Sequence, residues 1–261
     1  MKTKITTLAF LTLSFFFAAG DASAAAWNYT AFGDSLAYGT GATNNEGYVN
    51  LYKNYLETDN QATVILYNLG VPGWTSSDLL GALRTNSTFR LAASGSDVIT
   101  VDIGGNDLLQ AVALYKLGAC GGKKNNNCLK TAYKKLQSNW KKIFSEIRKL
   151  RGKKATIIRT MNLYYSSVNM DRSKDSYSGD KYASDFDFFN PYLLKANRYL
   201  QKAARKKKIL TADVHALFNG ASGTEDPQVK GYISIDGLHP NDTGYQIMAD
   251  ALQSLGYKSS K

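Results

Sequence analysis

The chain has 261 residues, 44% of them hydrophobic, and a formal net charge of +11 from 32 Lys and Arg against 21 Asp and Glu. That length suits one domain with a sizeable buried core, and no internal repeat or Pro- or Ser-rich linker marks a second. The excess of cations points to anionic partners, but no helix-turn-helix, zinc-ligand spacing or RNA-binding aromatic pattern accompanies it, which argues against specific nucleic-acid recognition.

At the amino end, Lys2 and Lys4 precede an apolar run over residues 5–19 and a small-x-small site, Ala22-Ser23-Ala24. Residues 1–24 therefore read as a cleaved signal peptide and residues 25–261 as the folded domain. The run is shorter than the roughly 20 residues a membrane span requires, and nothing later is apolar and long enough to replace it. The expected location is secreted or periplasmic.

Five apolar, β-branched runs read as strands: residues 29–33, 63–68, 98–103, 156–161 and 209–214. Helical spacing separates them. Tyr48, Val49, Leu51, Tyr52, Tyr55 and Leu56 form one stripe. Leu136, Trp140, Ile143, Phe144 and Ile147 form another, inside a long amphipathic helix over residues 129–150 with lysines outside. A last helix begins after Pro240, with Tyr245, Met248, Ala249 and Leu252 inward. Alternation of this kind implies a parallel sheet with helices on both faces, whose sites lie at the carboxyl ends of strands.

Three motifs sit at such ends or in the last loop. Phe32-Gly33-Asp34-Ser35-Leu36 follows the first strand, Gly104-Gly105-Asn106-Asp107 the third, and Asp236-Gly237-Leu238-His239-Pro240 precedes the last helix. A fourth glycine motif, Asn68-Leu69-Gly70-Val71-Pro72-Gly73-Trp74-Thr75, follows the second strand. A serine hydroxyl is a poor nucleophile without a base. His239 is suited to take its proton, and Asp236 to hold the other ring N–H. Gly237 permits the tight turn this spacing requires, and Pro240 suits the approach to a helix.

Together these motifs resemble the GDSL (SGNH) hydrolase family, whose four blocks contribute Ser, Gly, Asn and His in that order. The resemblance runs from about residue 27 to residue 255. It implies a three-layer α/β/α sandwich with a five-stranded parallel, flavodoxin-like sheet, and a serine esterase or lipase acting through an acyl-enzyme on Ser35. It assigns the oxyanion hole to the backbone N–H groups of Ser35 and Gly73 and to the Asn106 side chain. Gly70 is the rival glycine, but Pro-Gly-x-Thr at Gly73 fits the family's second block better. No catalytic residue is lost, which disfavours the alternative of a non-catalytic carbohydrate- or lipid-surface module on the same fold.

Other features carry weaker expectations. Asp34 and Asp107 read as loop-stabilising acceptors, and His215 as structural or superficial. There is no Gly-x-Ser-x-Gly elbow, no complete dinucleotide or phosphate-loop fingerprint and no metal-ligand cluster, so the catalysis is expected to need no cofactor. Cys120 and Cys128 enclose a short polar loop and, in an exported chain, are expected to pair, a closure worth about 2.5 kcal/mol by chain entropy. Residues 123–154 hold twelve Lys or Arg and one acid, Glu146. This reads as the solvated face of a helix able to meet anionic surfaces. Residues 166–190 read as one long irregular stretch, a lid or substrate wall. Trp74, Tyr38 and the aromatics of 186–189 are candidates for a sugar platform or an acyl groove. The substrate is expected to be either a short-acyl ester, including carbohydrate O-acetyl, or a lipid or lysophospholipid.

Overall fold

The computed structural model describes residues 26–259; the expected signal peptide at 1–24 lies outside them. Five strands form one all-parallel sheet in the order β2-β1-β3-β4-β5: β1 (Ala26–Gly33), β2 (Thr63–Gly70), β3 (Val98–Asp102), β4 (Ile157–Met161) and β5 (Leu210–Ala212). The connecting helices are α1 (Ser35–Tyr38), α2 (Tyr48–Asn60), α3 (Ser76–Thr85), α4 (Ser87–Gly95), α5 (Gly105–Lys116), α6 (Asn127–Arg151), α7 (Val168–Arg172), α8 (Asp185–Arg205), α9 (Val214–Asn219) and α10 (Asp242–Gln253).

Alternation along the strands builds two cores. Phe32, Ile99, Val101 and Ile158 face α3, α4, α5, α6 and α8, whereas Tyr29, Ala31, Val98 and Ile157 face α2, α9 and α10. The chain reverses its direction of travel across the sheet between β1 and β3, and right-handed crossovers then place helices on opposite faces. This is the expected three-layer α/β/α sandwich. Among the described residues, no helix is long and apolar enough to cross a membrane.

Several boundaries differ from the sequence reading. β1 begins at Ala26 because its pairing with β2 starts at Ala26–Thr63. β5 is only Leu210–Ala212, since Asp213 turns to cap α9 by accepting from the Ala216 N–H. The stretch 166–190 is not uniformly irregular: it contains α7, and α8 already begins at Asp185, capped by Ser184. Phe186 and Phe188 are core residues of α8 rather than a substrate platform. Of the aromatics at 186–189, Phe189 lines the cleft described below.

Cys120 and Cys128 form a disulfide. Their loop is also organised by hydrogen bonds, Cys120 N–H to Asn125 Oδ1 at 2.7 Å and Asn125 Nδ2 to the Tyr115 carbonyl at 2.8 Å. Of the basic residues on α6, Lys130, Lys134, Lys135, Lys141, Lys142 and Lys149 are exposed. Arg151 is an exception: it is buried, donating to Thr156 Oγ1 at 2.6 Å and to the Ser94 carbonyl.

Candidate active site

Strand register brings the motifs together. Gly33 lies beside Gly70 on one side and Asp102 on the other, so the segments following β1, β2 and β3 leave the sheet at one edge. That edge is the switch point where strand order reverses. A Cβ on Gly33 would lie 1.7 Å from Asp102 Oδ1, so only glycine lets β1 approach this buried acid. Gly70 is likewise a packing residue, because a Cβ there would meet the Tyr38 nitrogen at 2.4 Å. Gly73 differs: its φ is +82° and a Cβ would meet nothing within 4 Å, so glycine is needed there for the turn.

Ser35 opens α1 and is nearly buried at 8% exposure. Its Oγ lies 2.8 Å from His239 Nε2, and His239 Nδ1 lies 2.6 Å from Asp236 Oδ2. The other oxygen, Asp236 Oδ1, accepts the backbone N–H groups of Leu238 and His239, both at 2.9 Å, and the Ser234 hydroxyl at 2.8 Å. Burial opposes the charge on Asp236, but the His239 contact and these donors outweigh it and hold the carboxyl well below its usual range. Gly237, at φ +74°, makes the turn. The Tyr164 hydroxyl clamps the loop by donating to the Leu238 carbonyl at 2.8 Å. Pro240 precedes α10, as expected; it bridges to Ile233, and Asn241 caps the helix by accepting from the Gly244 N–H.

Asn106 stands in the first turn of α5. Its amide donates to the Trp74 carbonyl at 2.9 Å and, at 3.4 Å, to Asp34 Oδ2. Asp34 also accepts the Leu36 N–H at 3.0 Å and so caps α1. Burial, with the charge of Asp107 adding to it and the Leu36 contact opposing, pushes the Asp34 carboxyl up to about 7. Burial likewise raises Asp102, helped by Asp34 and opposed by the Tyr48 hydroxyl that donates to it at 3.0 Å. Asp34 and Asp107 are thus hydrogen-bond acceptors within the loops, as expected. His215 is buried in α9, and burial lowers its pKa.

Several supporting residues were not singled out by motif. The Trp140 indole on α6 donates to the Ile103 carbonyl at 2.9 Å, and a Cβ on Gly104 would meet that ring at 2.8 Å. Asn139 Nδ2 donates to the hydroxyls of Ser76 and Ser77, both at 2.9 Å. The only sequence signal for Asn139 was a polar residue on the buried stripe of an amphipathic helix. Trp74 stacks on Phe89 at 5.3 Å and Tyr38 is 44% exposed; neither lines the cleft.

Ser35, Asn106, Asp236 and His239 all line one cleft of about 340 Å³, whose other walls are mainly apolar. Among the described residues, no group of three or more His, Cys, Asp or Glu is placed to hold a metal ion. The chemistry such a constellation can perform is proton transfer from a hydroxyl to an imidazole beside an amide donor.

Comparison with known proteins gives the same direction. A GDSL-like lipase/acylhydrolase family model matches residues 31–247. The spore germination lipase LipC of Bacillus licheniformis is 32% identical over 233 residues, covering 88% of this chain and 96% of that protein. The solved lipase Lip_vut3 from a goat rumen metagenome superimposes with a TM-score of 0.71 at 29% identity, over 89% of this chain and 98% of that one. Axe2, an acetylxylan esterase from Geobacillus stearothermophilus, shares the fold with a TM-score of 0.62 at 20% identity, over 91% and 99% of the two chains. Spanning nearly the whole described domain, these matches show that the chain belongs to the GDSL-like lipase/acylhydrolase family and is a carboxylic ester hydrolase.

Proposed function

We propose that this protein is an exported, single-domain serine hydrolase that cleaves carboxylic esters through an acyl-enzyme on Ser35. The observation that carries the reading is the hydrogen-bonded line Ser35 Oγ, His239, Asp236, with steps of 2.8 and 2.6 Å. Ser35 Oγ attacks the ester carbonyl as His239 Nε2 takes its proton, and Asp236 stabilises the imidazolium. The oxyanion is met by the backbone N–H groups of Ser35 and Gly73 and by the Asn106 amide. Collapse breaks the bond to the alcohol oxygen, which receives the proton from His239. Water then repeats the sequence on the acyl-enzyme, releasing the acid and restoring Ser35. No cofactor enters these steps.

The mainly apolar cleft supports an ester with a hydrocarbon acyl chain over a carbohydrate O-acetyl ester, because neither Trp74 nor Tyr38 is placed as a sugar platform there. The exposed lysines of α6 support a separate, non-specific attraction to anionic surfaces. Export rests on the amino-terminal sequence pattern and agrees with a disulfide. The test is labelling with a fluorophosphonate followed by peptide mapping. One label per chain, on Ser35, is expected, together with loss of p-nitrophenyl ester turnover in Ser35→Ala. A label on another serine overturns the assignment.

A further inference from the structure

The cleft beside Ser35 changes character along its length. On one side, Asn106, Leu109, Val112 and Lys116 of α5 line it in succession. Steps of three and four residues place them in one row on the helix, and ten residues at the α-helical rise span about 15 Å. Leu163, Met170 and Leu193 also line it. The row is therefore polar at Asn106, apolar through its middle and cationic at its far end.

That far end is fixed. Lys116 Nζ lies 2.6 Å from Asp171 Oδ1 and 3.5 Å from Asp185 Oδ2, and the two acid side chains are only 6% and 2% exposed. Each acid is held in turn. Tyr165 donates its hydroxyl to Asp171 Oδ2 at 2.9 Å, while Ser176 donates its backbone N–H and hydroxyl to Asp185 at 2.8 and 2.7 Å. A group pushing past Lys116 must separate it from two nearly buried carboxylates and leave them without their counter-charge, which is strongly unfavourable.

We infer that this cleft is the acyl-chain site and that Lys116 is its end stop, so that the protein selects acyl chains of medium length. The inference rests on the assignment of Ser35 as nucleophile. In the tetrahedral adduct the leaving oxygen faces His239, and the carbon chain departs away from it. The α5 row offers that chain a path, because it starts at Asn106, proposed to meet the oxyanion, and runs to Lys116 at the other end of the helix. Asn106 and Lys116 take up the two ends of the row, which leaves on the order of 10 Å of apolar helix face between them. An acyl group of about eight carbons fills it. Each methylene laid along the apolar row should raise kcat/KM by about fourfold until the stop is reached, the transfer value of one buried CH₂.

The test is kcat/KM for p-nitrophenyl esters from acetyl to palmitoyl, each below its aggregation concentration, with fluorophosphonate labelling of Ser35 in parallel. The natural protein should peak near octanoyl and fall steeply by myristoyl. Lys116→Met, which keeps length and removes the charge, should raise the myristoyl-to-octanoyl ratio at least tenfold. Val112→Phe narrows the row midway and should lower the octanoyl-to-acetyl ratio at least tenfold; if Lys116→Met does not fold, Asp171→Asn, which loosens Lys116 while keeping shape, should raise the myristoyl-to-octanoyl ratio in its place, and an unchanged ratio there overturns the end stop. An octanoyl-to-acetyl ratio unmoved in Val112→Phe, with Ser35 still labelled, overturns the acyl assignment and leaves the nucleophile standing. A labelled, folded Lys116→Met with the natural chain-length profile overturns the end stop. Failure of Ser35 to label in the natural protein overturns the nucleophile reading itself, and this inference with it.

Discussion

Asp107 holds Ser76 with both carboxylate oxygens, one accepting the backbone N–H at 2.7 Å and the other the hydroxyl at 2.6 Å. Asn106 and Asp107 share the first turn of α5, whereas Ser76 opens α3 just beyond Gly73. The contact therefore locks the turn containing Gly73 against the helix that carries Asn106. Asp107→Ala leaves the buried Ser76 hydroxyl and N–H without this acceptor, so a stability loss of about 3 kcal/mol is expected from hydrogen bonds to a charged group. Urea denaturation measures it. Because Asp107 acts through position, kcat should fall more than KM rises. A stable variant with natural kcat would show that the two loops need no such tie.

Asn106 is expected to act on the transition state. Its amide already rests on the Trp74 carbonyl, which aims it without any contribution from substrate. Asn106→Ala should lower kcat by about 10²–10³ with little change in KM. A large rise in KM at unchanged kcat would instead make it a ground-state binding residue.

Two acids near Ser35 give opposite pH signatures. Asp34 titrates at about 7 in the folded protein against 3.8 ordinarily. The folded state thus holds an extra proton between those values, so this contribution is full below 3.8 and is lost as pH rises towards 7. Asp236, held low, contributes stability that is present above 3.8 and is lost as pH falls below it. Asp102 and Asp107, raised by burial as well, add to the same decline, so Asp34→Asn should make it shallower between pH 4 and 7 without abolishing it, and leave the acid limb below 3.8 in place. Denaturation midpoints across pH 2.5–8 check both limbs. An unaltered slope between pH 4 and 7 would remove Asp34 as its cause.

The basic face should serve attachment rather than chemistry. No lysine of α6 lines the cleft that holds Ser35 and Asn106, and the helix ends by leading into β4 at the amino-terminal edge of the sheet. Binding to anionic vesicles should weaken steeply from low to physiological salt, since exposed charges are screened beyond roughly 8–10 Å. Turnover of a small neutral ester should barely change over that range. A parallel fall in both would place the basic face at the active site.

The sequence by itself determined the alternation of strands and helices, the parallel sheet and the motifs carrying Ser35, Gly73, Asn106, Asp236 and His239. Each of these is a local pattern: the strand runs are continuously apolar, the helices show a stripe, and the turns need glycine at particular φ. Only the tertiary structure decided what lies across the chain from each motif. Local pattern cannot distinguish a lysine facing water from Lys116 set between Asp171 and Asp185, or the exposed lysines of α6 from the buried Arg151 on the same helix. It cannot show that Asp102 abuts Gly33, or that Trp140 buttresses Gly104. These contacts join residues distant in sequence. They depend on register and on which helix packs over which strand, information that no window of a few residues contains.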